Sequence, residues 1–200
     1  MNLKDMKQAV VLLDNEWNLG KKEANTTSNI CAWIYLMEIL EESEKIEIYK
    51  ENGKLIGFCG YSKNASKKYL FKKKLYGLIK RNLCNSKKIK NPDAFNQYYI
   101  NYNYLPKEYE NYFDGEVSIL IVDSNFRGKN IGKKLLLKIF ELAKNDDMKN
   151  LQILTDESCN YKFYEKCGCN KIYETIVQNK EYDKVGNFTS EKAFVYEKKL

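Results

Sequence analysis

The sequence predicts an α+β (α/β) fold, with helices flanking a central sheet that a helical insertion interrupts. Three observations predict it. Apolar residues recur at helical spacing over 5–17 and again over 30–40. Two strand-like runs, Lys45–Tyr49 and Leu55–Tyr61, flank Glu51-Asn52-Gly53-Lys54, whose Asn-Gly is a strong hairpin signal. A nearly continuous apolar run, Val117–Val122, suits a strand buried on both faces and leads through a polar turn into an amphipathic helix. The 200 residues fit one domain, 1–200. A chain of that length buries about 70% of its unfolded surface and needs no disulfide or metal staple.

In chain order, Met6, Ala9, Val10, Leu13 and Trp17 form one buried helix side, and Ile30, Trp33, Ile34, Met37 and Leu40 another, with Asn29 as a candidate N-cap. The hairpin follows. Residues 67–82 place Leu70, Phe71, Leu75, Leu78 and Ile79 at helical spacing with lysines between them, and Pro92 suits the first turn of a short helix carrying Phe95, Tyr98, Tyr99 and Tyr102. Pro106 marks the exit into a loop. Residues 63–115 read as an insertion between strands. After the strand at 117–122, a helix turns Ile131, Leu135, Leu136, Ile139, Phe140 and Ala143 inward and Lys133, Lys134 and Lys138 outward. Leu151–Leu154 is a buried strand, Asn160–Lys166 a short helix stopped near Gly168, and Lys171–Val177 and Ala193–Glu197 are two last strands joined by a polar loop over 178–190.

Composition narrows the chemistry. The chain has no histidine, which excludes Ser-His-Asp and Cys-His nucleophilic pairs, histidine-ligated zinc and an imidazole base. Proton transfer must use carboxylate, tyrosine, lysine, cysteine or water. Cys159, Cys167 and Cys169 lie close in sequence but form no Cys-x-x-Cys pair, so free thiols and no metal are expected. No run approaches the roughly 18 apolar residues of a membrane span, and Met1–Asp5 has no apolar signal core, so a soluble, cytoplasmic protein with no membrane partner is expected.

The net charge is +7. Residues 63–115 hold 12 basic and four acidic side chains, more than the whole of that excess, and eight of the 16 tyrosines. Such a segment suits nucleic-acid stacking and neutralisation. It also suits a helix with a solvated lysine face and a tyrosine-lined inner face.

The chemical centre is the strand Leu120-Ile121-Val122 followed by Arg127-Gly128-Lys129-Asn130-Ile131-Gly132-Lys133. The first turn of a helix offers free N–H groups and the positive end of a dipole, small residues admit an anion, and Arg127, Lys129 and Lys133 add charge. Arg127 to Gly132 resembles the pyrophosphate loop of the GCN5-related N-acetyltransferase (GNAT) family, Arg/Gln-x-x-Gly-x-Gly/Ala. Beyond it, Phe163-Tyr164-Glu165-Lys166-Cys167-Gly168 resembles that family's Phe/Leu-Tyr-Glu-Lys-x-Gly-Phe segment. The resemblance covers about Lys45 to Val177, apart from the insertion. Asn130 replaces the first loop glycine, and asparagine is the residue that best tolerates positive φ after glycine. Cys169 replaces an aromatic, and the family's first strand is not evident before residue 5.

The resemblance implies a central mixed, mostly antiparallel twisted sheet with a splayed pair of parallel strands. It implies acetyl-CoA as cosubstrate, the pantetheine arm along Leu120, Ile121 and Val122, and the pyrophosphate on Arg127, Gly128, Lys129, Asn130, Ile131, Gly132 and Lys133. Asn160 lies near a further cofactor position. Tyr164 maps to the general acid that protonates the leaving thiolate. Glu116 is the leading base, with Asp123, Glu38 and Asp156 behind it. The acceptor would be a small-molecule or peptide amine. A non-catalytic acyl-CoA-sensing or nucleic-acid-binding module is the alternative, and a monomer and a homodimer are both compatible with the sequence.

Overall fold

A computed structural model describes residues 1–17, 19, 29–64, 66, 68–89, 105–109, 111–182 and 188–200. Helix α1 (Leu3–Trp17) and α2 (Ile30–Glu42) precede the hairpin of β1 (Lys45–Glu51) and β2 (Lys54–Lys63). Asn52 and Gly53 both take positive φ at its turn (51° and 76°), as a tight hairpin requires. Helix α3 (Leu70–Cys84) follows. Then come β3 (Gly115–Val122), α4 (Ile131–Asn145), β4 (Asn150–Asp156), the short α5 (Lys162–Lys166), β5 (Asn170–Tyr182) and β6 (Phe188–Lys199). The sheet order is β1-β2-β3-β4-β6-β5, and only β3 and β4 run parallel. Among the described residues no strand precedes β1, so the sheet begins at this hairpin.

Helices α1 and α2 cover one face through Val10, Leu13, Ile34 and Leu36, which pack with Phe58, Ile119 and Ile121. Helix α4 covers the other through Leu135, Leu136 and Ile139, packed with Ile56, Leu151, Ile153 and Tyr196. The six inward residues predicted for α4 are its six buried residues. Asn29 precedes α2 but makes no side-chain capping bond.

Three expectations change. β3 is not buried on both faces: buried residues alternate with half-buried ones, because the strand borders an opening. The last two strands run on to Tyr182 and from Phe188, so the predicted loop over 178–190 is mostly ladder. Helix α3 presents the opposite side from the one its pattern suggests. Leu70, Phe71, Leu75, Leu78 and Ile79 are exposed, while Tyr76 and Gly77 are buried. Lys73 pairs with Glu44 at 2.6 Å and Lys80 with Glu41 at 2.6 Å. Carboxylates on and just after α2 select the lysines. α2 is buried nearly all round in consequence.

The insertion spans the gap between the end of β2 at Lys63 and the start of β3 at Gly115. Its exit is pinned: Tyr112 donates to Glu197 Oε1 at 2.7 Å, and Asn150 donates to the Tyr112 carbonyl at 3.1 Å. The predicted helix after Pro92, with Phe95, Tyr98, Tyr99 and Tyr102, lies outside the described residues. Among those described, no helix is long and apolar enough to cross a membrane.

Candidate active site

The parallel strands meet only at Gly115↔Leu151 and Glu116↔Gln152. Beyond these two rungs they part, and β4 keeps its other edge on β6 along its whole length. On its other side β3 stays paired with β2. The register places Ile56 opposite Asp123, and the Asp123 amide donates to the Ile56 carbonyl at 2.8 Å. The alternation of an antiparallel ladder then turns the polar backbone of Ile121 toward β2 and that of Leu120 and Val122 toward the gap. Leu120 and Val122 thus lend the opening both backbone groups and half-buried apolar side chains.

Past Val122 the chain makes one 3₁₀ turn, Ser124–Phe126, capped by Asp123, which accepts from the Asn125 amide at 3.0 Å. Asp123 also pairs with Lys54 at 3.1 Å. Burial would raise its carboxyl, but these bonds outweigh burial and hold it below the usual range. Asp123 shapes the turn. Glu16 of α1 braces it: Oε1 accepts the Ser124 amide at 2.7 Å, and Oε2 pairs with the Arg127 guanidinium. Lys129 lies over the Phe126 ring at 4.7 Å.

Gly128 (φ 81°) and Asn130 (φ 59°) both sit in the left-handed region, so asparagine serves where glycine was expected. Asn130 precedes α4 without a side-chain capping bond. Its carbonyl accepts the Lys134 amide at 3.0 Å. The amides of Ile131, Gly132 and Lys133 open the helix ahead of that bond, and among the described residues no side chain caps them. Ile131 is buried, whereas Lys133 is exposed. A Cβ on Gly132 would meet Phe163 at 3.6 Å and Val122 at 3.7 Å, so this position lies between the β3 end and α5.

Tyr164 is half-buried on α5, its ring beside Phe163 (centroids 5.5 Å apart) and Tyr196 (5.7 Å). Desolvation, and then the neighbouring Cys59, Cys159, Cys169 and Cys167, push its phenol above the ordinary range, so it is neutral near pH 7. Its hydroxyl makes no hydrogen bond among the described residues. Asn160 is exposed just before α5, its carbonyl accepting the Phe163 amide at 3.0 Å. All six cysteines are free thiols.

Glu116 sits on the last parallel rung, and Gln152 donates to its Oε2 at 2.7 Å. Burial raises its carboxyl, and the Gln152 bond opposes the rise. Its charge reaches α2. Glu42 is pushed up to about 7 by desolvation, then by Glu38, Glu116 and Glu41, with Lys80 opposing. Tyr164 belongs to the α4 side of the sheet, whereas Glu116 acts on the α2 carboxylates of the other side. Asp156 bonds the Ser158 amide (2.8 Å) and hydroxyl (2.5 Å), a local turn.

Sequence reasoning missed Glu16 and Glu42. Glu16 lies 111 residues from Arg127, and no local pattern joins them. Glu42 had a signal, since Glu38, Glu41 and Glu42 crowd one end of α2.

Residues 91–169 match the family model described as Acetyltransferase (GNAT) family. That match covers 79 of the 200 residues, and over them the chain is similar to this family. The six-stranded mixed sheet with one parallel pair is the GNAT fold. Arylalkylamine N-acetyltransferase 2 from Aedes aegypti superposes with a TM-score of 0.60 at 18% identity, over 100% of this chain and 96% of that one. An aminoglycoside 6'-N-acetyltransferase complexed with coenzyme A gives 0.58 at 14%, over 99% and 92%. An N-acetyltransferase from Staphylococcus aureus Mu50 gives 0.55 at 17%, over 100% and 94%. At these identities the structures show the GNAT fold alone. No curated protein matches the sequence.

Proposed function

We propose that this protein is an N-acetyltransferase that moves the acetyl group of acetyl-CoA to an amine by direct attack within a ternary complex. One observation carries the reading: the splayed strand pair empties into a left-handed turn whose helix amides no side chain caps among the described residues. A diphosphate is the complementary ligand for such a turn. The backbone of Leu120 and Val122 faces the gap and suits a pantetheine arm, which has amides of its own. Ile121 supports that edge from the β2 side. Arg127, Lys129 and Lys133 add positive charge around the turn, and Asn160 stands at the start of α5. The coenzyme A held by the aminoglycoside acetyltransferase of like fold supports the same ligand here.

The neutral Tyr164 phenol gives its proton to the departing thiolate. The acceptor enters from the α2 side, where Glu116 takes the amine proton, directly or through water. The raised carboxyl of Glu116 suits a base, because a group nearer neutrality holds the proton better. No step calls for a metal.

Tyr164→Phe tests this. Turnover on a responsive amine is expected to fall by about 10²-fold, while calorimetry still shows acetyl-CoA bound. Unchanged turnover would remove Tyr164 from the mechanism.

A further inference from the structure

Helix α3 is built with its polarity reversed, and its apolar side is exposed. Phe71 is 85% exposed, and Tyr69, Leu70, Leu75, Leu78 and Ile79 are each between 37% and 53% exposed. At 3.6 residues per turn, Phe71, Leu75, Leu78 and Ile79 share about 100° of the helix surface. Exposed Lys74 and Arg81 border that stripe on one side, and exposed Lys72 borders it on the other. The helix contains no carboxylate. Lys73 and Lys80 turn inward to Glu44 and Glu41, so the bordering cations stand out toward solvent.

This arrangement selects its partner. A convex apolar stripe with cations along both edges fits a flat surface that is apolar beneath and anionic above. Lysines there reach headgroups while their stems lie on hydrocarbon. The basic residues are almost all lysine, with Arg81 and Arg127 the only arginines of the chain. Lysine is a point charge, suited to a diffuse anionic surface more than to bidentate recognition. Nucleic acid would use the charge but leave Leu75, Leu78 and Ile79 idle, since bases stack on aromatic rings. We infer that α3 is an in-plane anchor that lays its outer face on an anionic lipid surface. Among the described residues, hydropathy rules out only a spanning helix, which leaves room for an in-plane contact where no membrane partner was expected. The inner face of α3 rests on Glu41 of α2, so docking brings the α2 side of the sheet toward the lipid.

The experiment is flotation of the full chain with vesicles of phosphatidylcholine alone or mixed with phosphatidylglycerol. Binding is expected only to the mixed vesicles, weakening as salt is raised. Phe71→Ser should weaken it about tenfold, and Lys72→Gln and Lys74→Gln about fivefold each. All three side chains are exposed, so acetyl-CoA affinity measured alongside should stay unchanged. Absence of binding to the mixed vesicles overturns the inference, as does binding that Phe71→Ser leaves intact. If Phe71→Ser instead converts a dimer to a monomer on a sizing column without any lipid binding, the stripe is a contact between copies. If the wild-type chain shifts DNA or RNA in a gel but ignores vesicles, the lysines serve nucleic acid. Either result also overturns it.

Discussion

Gly132 shows how one position can serve a ligand while the fold stays indifferent. Its φ is not positive, and an added Cβ would find ordinary contacts at 3.6–3.9 Å to Phe163 and Val122. Alanine therefore fits. Valine adds two methyl groups, and these must enter either the Phe163–Val122 contact or the space before the first amides of α4. Gly132→Ala is expected to keep both the melting temperature and acetyl-CoA affinity. Gly132→Val is expected to weaken acetyl-CoA binding by about tenfold or more in calorimetry, by closing the approach to the helix N-terminus. Wild-type affinity in the valine variant would move the pyrophosphate elsewhere. Asn130 follows a different logic. Its left-handed φ of 59° is a backbone demand that asparagine meets at small cost, which is why the turn could be read from sequence despite the missing glycine.

At the next scale, the two ends of α4 do separate work. Its start is uncapped and open. Its end is tied down: buried Asp146 accepts the Tyr61 hydroxyl at 2.7 Å and pairs with Lys45 at 3.1 Å and Lys68 at 3.2 Å, while its carbonyl takes Lys63. The knot joins α4 to β1 and β2. Burial would raise the Asp146 carboxyl, yet the Tyr61, Lys45 and Lys68 bonds lower it to about 2, from an ordinary 3.8. A carboxyl lowered by folding contributes stability that is complete above its unfolded pKa and lost as pH falls through the folded one. The window is therefore pH 4 to 2, and the contribution is about 2 kcal/mol. Urea unfolding should show Asp146→Asn less stable by about that amount at pH 6, with a shallower loss between pH 4 and 2 than wild type. An unaltered acid slope would place the titrating group elsewhere. Elements of this kind were legible wherever their signal was local: the Asn-Gly hairpin, the strand into α4, all six inward residues of that helix. Those fixed by distant partners were not. The face of α3 depends on Glu41 and Glu44, and the backbone facing of Ile121 against Leu120 depends on the β2 register. Likewise Glu16 reaches Arg127 across 111 residues of chain that include the first three strands.

For the molecule as a whole, the opening between β3 and β4 is a gap in an otherwise continuous sheet, and that sheet separates two cores. One lies beneath α1 and α2, the other beneath α4. A ligand that fills the gap would pair with the free edge of β3 and add contacts to the α4 start and α5 together. It would bind the native state and not the unfolded chain, which lacks both the edge and the turn. At acetyl-CoA about 100 times its dissociation constant, mass action then adds roughly 2.7 kcal/mol to stability. For a chain of 200 residues that is a rise in Tm of roughly 5–10 °C. Inorganic pyrophosphate, which can occupy the turn but not the strand edge, should raise Tm by less than acetyl-CoA at the same concentration. Equal shifts from the two ligands would show that only the turn binds, and that the edge of β3 plays no part. No shift from acetyl-CoA at saturating concentration would remove the coenzyme from the groove, and the acetyl-transfer reading with it.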